Sequence, residues 1–245
     1  MKNLTIDINA DVGEGMGNEI ELMPYLSSCN IACGGHAGDY SSMQEVVKLA
    51  KKYQVKIGAH PSFLDRKNFG RLDLEITSAD LYTSLKKQIR NLLKVLGEEH
   101  VLLHHIKPHG ALYNLAAKDE KTARVIIEVI KSIALPLKLY APYKSVIAQL
   151  ALSENIDIKF EGFADRNYND DLTLVSRQKE NAVLHDASEV FEHVFRMISQ
   201  GNVKTVTGKE VRIEAHTFCI HGDNPKAIGL VNRLKNNLES KGILI

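Results

Sequence analysis

The chain has 245 residues, 44% hydrophobic and 25% charged, the proportions of an ordinary globular protein, and its length suits one α/β barrel of about 250 residues. Its 31 basic and 30 acidic side chains leave a net charge of +1, so no long-range field recruits nucleic acid or an anionic membrane. The N-terminus reaches Asp7 before any signal-length apolar run, and no later run is long enough to span a bilayer. A cytoplasmic protein with neither nucleic-acid nor membrane partners is therefore expected.

Short β-rich runs alternate with amphipathic stretches along the whole chain, the pattern of a mostly parallel sheet covered by helices. Strands are predicted at Leu4–Asn9, Cys29–Ala32, Lys56–Ala59, Leu102–Ile106, Lys138–Ala141, Ile158–Gly162 and Thr217–Ile220. Around the first, Ile6 and Ile8 alternate with Asp7, Asn9 and Asp11, so the polar groups share one face. Acids aimed into a buried strand face are costly unless they meet a metal, a cation or each other. Against that stands plain capping by Asp7 and Asn9, with Asp11 opening a turn before Gly13. Asp11 has the strongest functional claim of the three.

After the second strand, Gly34, Gly35 and Gly38 surround His36 and let backbone approach a small ligand closely. No G-x-G-x-x-G follows the first strand, so this is not a dinucleotide fingerprint. Cys33 is a candidate nucleophile, but a small buried residue beside glycine explains it better. Cys29, Cys33 and Cys219 cannot all pair and lack C-x-x-C spacing, which predicts reduced thiols. His60 ends the third strand, with Asp65, Phe69, Gly70 and Arg71 beyond it. Thr77 and Asp80 resemble a capping box opening a helix from Ser78 to Leu96, with Gly97 in the position of a C-terminal cap.

The fourth strand leads into Lys107 and His109, whereas His104 and His105 within it are expected to be satisfied core residues. The fifth cluster runs from Phe160 to Tyr168 and includes Arg166. Val203 to Val211, with Thr207 to Glu210 at its turn, is predicted to form a hairpin. The sixth cluster ends in Asp223 and Pro225, the proline opening a helix through Ile228, Leu230, Val231, Leu234 and Leu238. No linker, low-complexity tract or repeat divides the chain, and one domain spanning residues 1–245 is expected. Any single cluster reads as a capped turn. Six that all follow strands converge where β/α barrels build active sites.

The strings NADVGEG, NIACGGHAGD, GAHPSFLD with FGR, KPHGALYN, EGFADRNY and CIHGDNP, in this order, together resemble the LamB/YcsF family, and the correspondence runs from about Asp7 to Pro225. The sequence departs from the family pattern at Leu72, Ser176 and Glu180–Asn181. The resemblance implies an irregular seven-stranded β/α barrel of the glycoside hydrolase/deacetylase type. It also implies work beside two further subunits (B and C) in ATP-dependent opening of the 5-oxoproline lactam to L-glutamate.

Opening an unstrained lactam needs an activated water, stabilisation of charge on the carbonyl oxygen and a proton for the departing nitrogen. Asp11 is expected as base or metal ligand, His36 and His60 as ligands or proton carriers, and His109 as acid or oxyanion partner. Lys107, Arg166 and Asp223 are expected to hold substrate, with Asp7 and Asn9 as further substrate-side candidates. A divalent metal would use Asp11, His36 and His60. The chain lacks G-x-x-x-x-G-K-[ST], so ATP is expected on a partner subunit. The competing expectations are a stand-alone metal-dependent hydrolase such as a sugar deacetylase, and a non-catalytic 5-oxoproline-binding subunit.

Overall fold

Each β-rich run is followed by a segment with a helical apolar stripe, so each strand has a cover to carry the chain back to the same end of a parallel sheet. A computed structural model describes residues 4–222, 224 and 226–245. In its first half come β1 (Leu4–Thr5), β2 (Asp7–Val12), α1 (Glu19–Leu22), β3 (Ser28–Ala32), α2 (Tyr40–Tyr53), β4 (Lys56–His60), α3 (Ser78–Glu98) and β5 (Leu103–Ile106). Next are α4 (Gly110–Ala116), α5 (Glu120–Ile133), β6 (Lys138–Pro142), α6 (Val146–Ser153) and β7 (Ile158–Phe163). The last are α7 (Ala187–Gln200), β8 (Asn202–Lys204), β9 (Glu210–Arg212), β10 (Thr217–Cys219), α8 (Ala227–Ser240) and β11 (Ile243–Leu244).

Seven parallel strands close into a barrel in the order β10-β2-β3-β4-β5-β6-β7, with β10 bonded to both β2 and β7. Closure leaves the barrel no open edge. The predicted alternation and strand number are thus observed. Ile8, Ala10 and Val12 of β2 are fully or almost fully buried toward the helices, and α3 buries Leu81, Leu85, Ile89, Leu92 and Leu96 on one stripe. No helix among the described residues is long and apolar enough to cross a membrane.

Several boundaries differ from expectation for identifiable reasons. The predicted strand Leu4–Asn9 is two strands: β1 pairs with the C-terminal β11, whereas β2 pairs with β3 and β10. Asp11 consequently lies inside β2, opposite Asn30, rather than in a loop. Leu102 is 87% exposed and precedes β5. Thr77 does cap α3, accepting from Asp80 N, but Gly97 remains helical and His100 takes the left-handed conformation beyond it. The expected hairpin is β8 paired antiparallel with β9. Helix α8 buries Leu230, Val231, Leu234 and Leu238 as predicted, while Pro225 lies outside the described residues.

Gly58 on β4 is there because an interior ring occupies the space beside it. A Cβ would lie 2.1 Å from His105 Nε2. That ring cannot yield, since Nε2 meets Asn30 Oδ1 at 2.7 Å and the ring stacks on Tyr140 at 3.9 Å. Gly58→Ala is therefore expected to destabilise by about 2–3 kcal/mol, the upper range for overpacking a close-packed interior. Urea unfolding checks this: a lower midpoint at unchanged slope is expected, and an unchanged midpoint would show that His105 moves freely.

Candidate active site

The barrel interior is polar and arranged in tiers set by the period-two alternation of its strands. Lowest lies Asp7, whose Oδ1 accepts from Ser28 Oγ at 2.7 Å and Thr217 Oγ1 at 2.6 Å. Above it, Asn9 donates through Nδ2 to Glu161 Oε1 at 3.0 Å and Thr217 Oγ1 at 2.7 Å, and accepts from Asn30 at 2.8 Å. The top tier holds Asp11, which accepts from Asn30 at 2.8 Å and Lys107 Nζ at 3.0 Å. Lys107 also lies 2.9 Å from Glu161 Oε1, and Tyr113 OH donates to Glu161 Oε2 at 2.7 Å. Such a network tolerates burial because each group meets an opposite charge or a hydrogen-bond partner.

This top tier opens into a cavity of about 770 Å³ lined in part by Asp11, Glu14, His60, Lys107, His109 and His221. His60 is the last residue of β4, and the backbone N–H groups of Lys107 and His109 donate to the Ala59 and Pro61 carbonyls, each at 2.9 Å. That extension of the ladder sets His109 beside His60, with Nδ1 and Nε2 2.9 Å apart. His36 stacks on His109 with centroids 3.6 Å apart and rings 4° from parallel. Glu14, between Gly13 and Gly15 in left-handed conformations (φ 72° and 83°), brings Oε1 to 2.8 Å from His36 Nε2. Glu14, His36, His60 and His109 each offer an atom within 4.8 Å of the others, a set that can hold a divalent metal.

Burial would raise the Asp11 carboxyl, but the neighbouring His60 and Lys107 outweigh it and hold Asp11 well below the usual carboxylate range. Burial likewise opposes charge on Lys107, yet Asp11, Cys219 and Glu161 keep its ammonium well above the usual lysine value. Asp11 and Lys107 are therefore a fixed ion pair at neutral pH. Burial, reinforced by His60, pushes His36 down to about 3, and burial with His60 and His36 pushes His109 to about 2. Both are neutral rings with one lone pair available. All three cysteines are buried and unpaired. Burial raises the Cys33 thiol to about 12, so it is no ready nucleophile.

The structure brings Asp11, His36, His60, Lys107 and His109 together at the C-terminal ends of the strands. Two others of the expected set lie deeper in the barrel. Asp7 and Asn9 occupy the lower tiers and do not line the cavity. Arg166 lines it, but Nε and Nη2 donate to the Ala182 and Val175 carbonyls at 3.2 and 2.6 Å, tying down that loop. Asp223 lies outside the described residues. His105 is a core residue as expected, whereas His104 is half-buried beside it.

Sequence reasoning missed Glu14, Tyr113, Glu161, Asp165 and His221 as members of the site. All five lie within the strings quoted above, but nothing local distinguishes Glu161 from a turn residue. Asp165 Oδ1 accepts from His221 Nδ1 at 2.8 Å, which leaves His221 Nε2 as the acceptor on the other side of the ring.

A closed parallel barrel with a charged interior and a histidine–carboxylate cluster at the C-terminal mouth defines a β/α-barrel protein with its chemistry concentrated at the strand ends. Within that class the chain belongs to the LamB/YcsF family, whose profile matches residues 6–245. The A-type subunit of 5-oxoprolinase from Haemophilus influenzae (strain PittEE) is 41% identical over 240 residues, covering 98% of each chain. The crystal structure of a lactam utilization protein from Thermus thermophilus superposes with a TM-score of 0.92 at 34% identity, covering 99% of both chains. A family 4 carbohydrate esterase from Streptomyces lividans, at 8% identity and TM-score 0.51 over 99% of this chain and 91% of that one, shares the fold alone.

Proposed function

We propose that this chain is the A-type subunit of an ATP-dependent 5-oxoprolinase, opening the lactam of 5-oxoproline to L-glutamate with two partner subunits. One observation carries the reading: the buried ion pair of Asp11 and Lys107, backed by Glu161, opens on a cavity of about 770 Å³ beside neutral histidines. Charges held so far from solvent are poor contributors to stability but effective, preorganised dipoles for a polar transition state. The relatives, named for the A-type subunit of 5-oxoprolinase and for lactam utilization, supply the substrate class.

On this reading the lactam carbonyl lies against His60 and His109, and the fixed charges of Asp11 and Lys107 orient it. Asp11 is held ionised and is therefore a weak proton acceptor at neutral pH. His221, its Nδ1 proton held by Asp165, is the better base for the attacking water. ATP is assigned to a partner subunit, where it activates the lactam. The chain itself is taken as one domain built around a single site.

Reconstitution tests this. The complete set of subunits with 5-oxoproline and ATP is expected to form glutamate, and this chain alone none. Glutamate formation by the isolated chain would overturn the division of labour, and none from the complete set would overturn the substrate. The histidine–carboxylate cluster favours one second reading, a stand-alone metal hydrolase; acetate release from acetylated sugars by the isolated chain would establish it.

A further inference from the structure

The protons of His36, His60 and His109 follow from what each outward nitrogen meets. A carbonyl oxygen only accepts hydrogen bonds. His60 therefore carries its proton on Nδ1, 2.7 Å from the Lys107 carbonyl, and His109 on Nε2, 2.9 Å from the Phe69 carbonyl. Ser62 Oγ gives its single proton to the Phe63 carbonyl at 2.9 Å, so it must accept from His36 Nδ1–H at 3.0 Å. With its one proton directed outward in this way, each ring turns a lone pair inward: Nε2 of His36, Nε2 of His60 and Nδ1 of His109.

The fourth inward atom, Glu14 Oε1, is an acceptor as well. It lies 2.8 Å from His36 Nε2, 3.5 Å from His109 Nδ1 and 3.9 Å from His60 Nε2. His60 Nε2 and His109 Nδ1 are 2.9 Å apart, and Asp11 Oδ2 adds a further acceptor 3.3 Å from His60 Nε2. The adjacent ammonium of Lys107 is engaged by Asp11, Asn9 and Glu161. Acceptors this close repel one another unless a cation lies among them. A single proton relieves either the His60–His109 contact or the His36–Glu14 contact, not both.

We propose that Glu14, His36, His60 and His109 bind one divalent first-row transition metal ion of the zinc class, through Glu14 Oε1, His36 Nε2, His60 Nε2 and His109 Nδ1. Three imidazoles and one carboxylate suit zinc and its neighbours, whereas magnesium and calcium take oxygen ligands. Tetrahedral zinc with bonds of about 2.0–2.1 Å separates its ligand atoms by about 3.3 Å, within the 2.8–3.9 Å observed. The Lys107 and Phe69 carbonyls and the Ser62 hydroxyl are the outer partners that fix ring tautomer and orientation. Asp11, expected from sequence as a ligand, lies beside this group of four, its Oδ1 held by Lys107 and Asn30 and its Oδ2 3.3 Å from His60 Nε2. The assignment stands on the tautomers and does not depend on the lactam reading.

The test uses the full chain stripped with a chelator, then titrated with Zn²⁺ by calorimetry and with Co²⁺ by visible absorption. One ion per chain is expected, with cobalt bands of low coordination number and no competition from Mg²⁺. His109→Gln, shown folded by circular dichroism, is expected to bind at least about a hundredfold more weakly. Should it not fold, Ser62→Ala, which releases only the His36 tautomer, is expected to weaken binding about tenfold. His221→Gln, in the neighbouring group of Asp11, Cys219 and His221, is expected to bind as wild type does. The proposal is overturned by no stoichiometric uptake, by equal competition from Mg²⁺, by undiminished binding in folded His109→Gln or in Ser62→Ala, or by loss in His221→Gln instead.

Discussion

Asp11→Asn is expected to reduce glutamate formation by the reconstituted complex at least about a hundredfold while leaving the fold intact. The substitution keeps the side chain's shape and removes its charge. Asn30 Nδ2 and Lys107 Nζ still have an amide oxygen to donate to, because both contact Oδ1 in the wild type. Lys107 also keeps Glu161 as a counter-ion at 2.9 Å. The missing element is the negative charge beside His60, which lies 3.3 Å from Asp11 Oδ2. A loss on this scale is the usual effect of removing a charged catalytic group. Turnover within a few-fold of wild type, with an unchanged melting temperature, would leave Asp11 as an element of barrel packing. Substrate binding retained without turnover would argue against a purely 5-oxoproline-holding subunit.

Lys107→Met should have the largest effect on stability. The ammonium has 3% side-chain exposure and stands between Asp11 at 3.0 Å and Glu161 at 2.9 Å. Methionine fills the volume but leaves two carboxylates in a buried barrel without a cation. Breaking a buried pair in this way costs about 3–5 kcal/mol, a large part of the stability of a typical domain.

The pH dependence should change sign in that variant. In the wild type the Asp11 pKa is lowered on folding, so its contribution is present above the unfolded carboxyl value and is lost as pH falls through the folded one. Without Lys107 the burial that raises the Asp11 carboxyl loses one of its main counterweights, and its folded pKa moves up. A group whose folded pKa is raised above the unfolded one contributes stability at low pH that is lost as pH rises. Urea midpoints measured from neutral pH to about pH 5 should converge for wild type and variant. A deficit that stays constant across this range would mean the loss arises from packing rather than charge. Lys107→Met combined with Glu161→Gln should recover part of the stability at neutral pH.

Local chemistry made the architecture legible. The alternation of strands and helices, the Thr77 cap of α3 and the turn between β8 and β9 each depend on neighbours a few residues away, and each was predictable. Period two likewise announced that Asp7, Asn9 and Asp11 share a face. It could not say how far up the barrel each would sit. That depends on the register of β2 against β3 and β10, which places Asp7 beside Ser28 and Thr217 and leaves Asp11 at the mouth.

By itself, then, the sequence determined the alternation of a mostly parallel sheet with helices and the convergence of polar clusters at the ends of its strands, because periodicity and turn chemistry are short-range; closure into a seven-stranded barrel was implied only by the family resemblance. Only the tertiary structure decided that Glu14 joins His36, His60 and His109, that Glu161 backs Lys107, and that Arg166 is tied to its own loop. Those partners come from different strands and loops, and barrel closure sets their separation in space irrespective of their separation along the chain. The tautomers were equally hidden. They depend on the carbonyls of Lys107 and Phe69, and every residue type presents the same backbone carbonyl, so no side-chain pattern could reveal which one a histidine would meet.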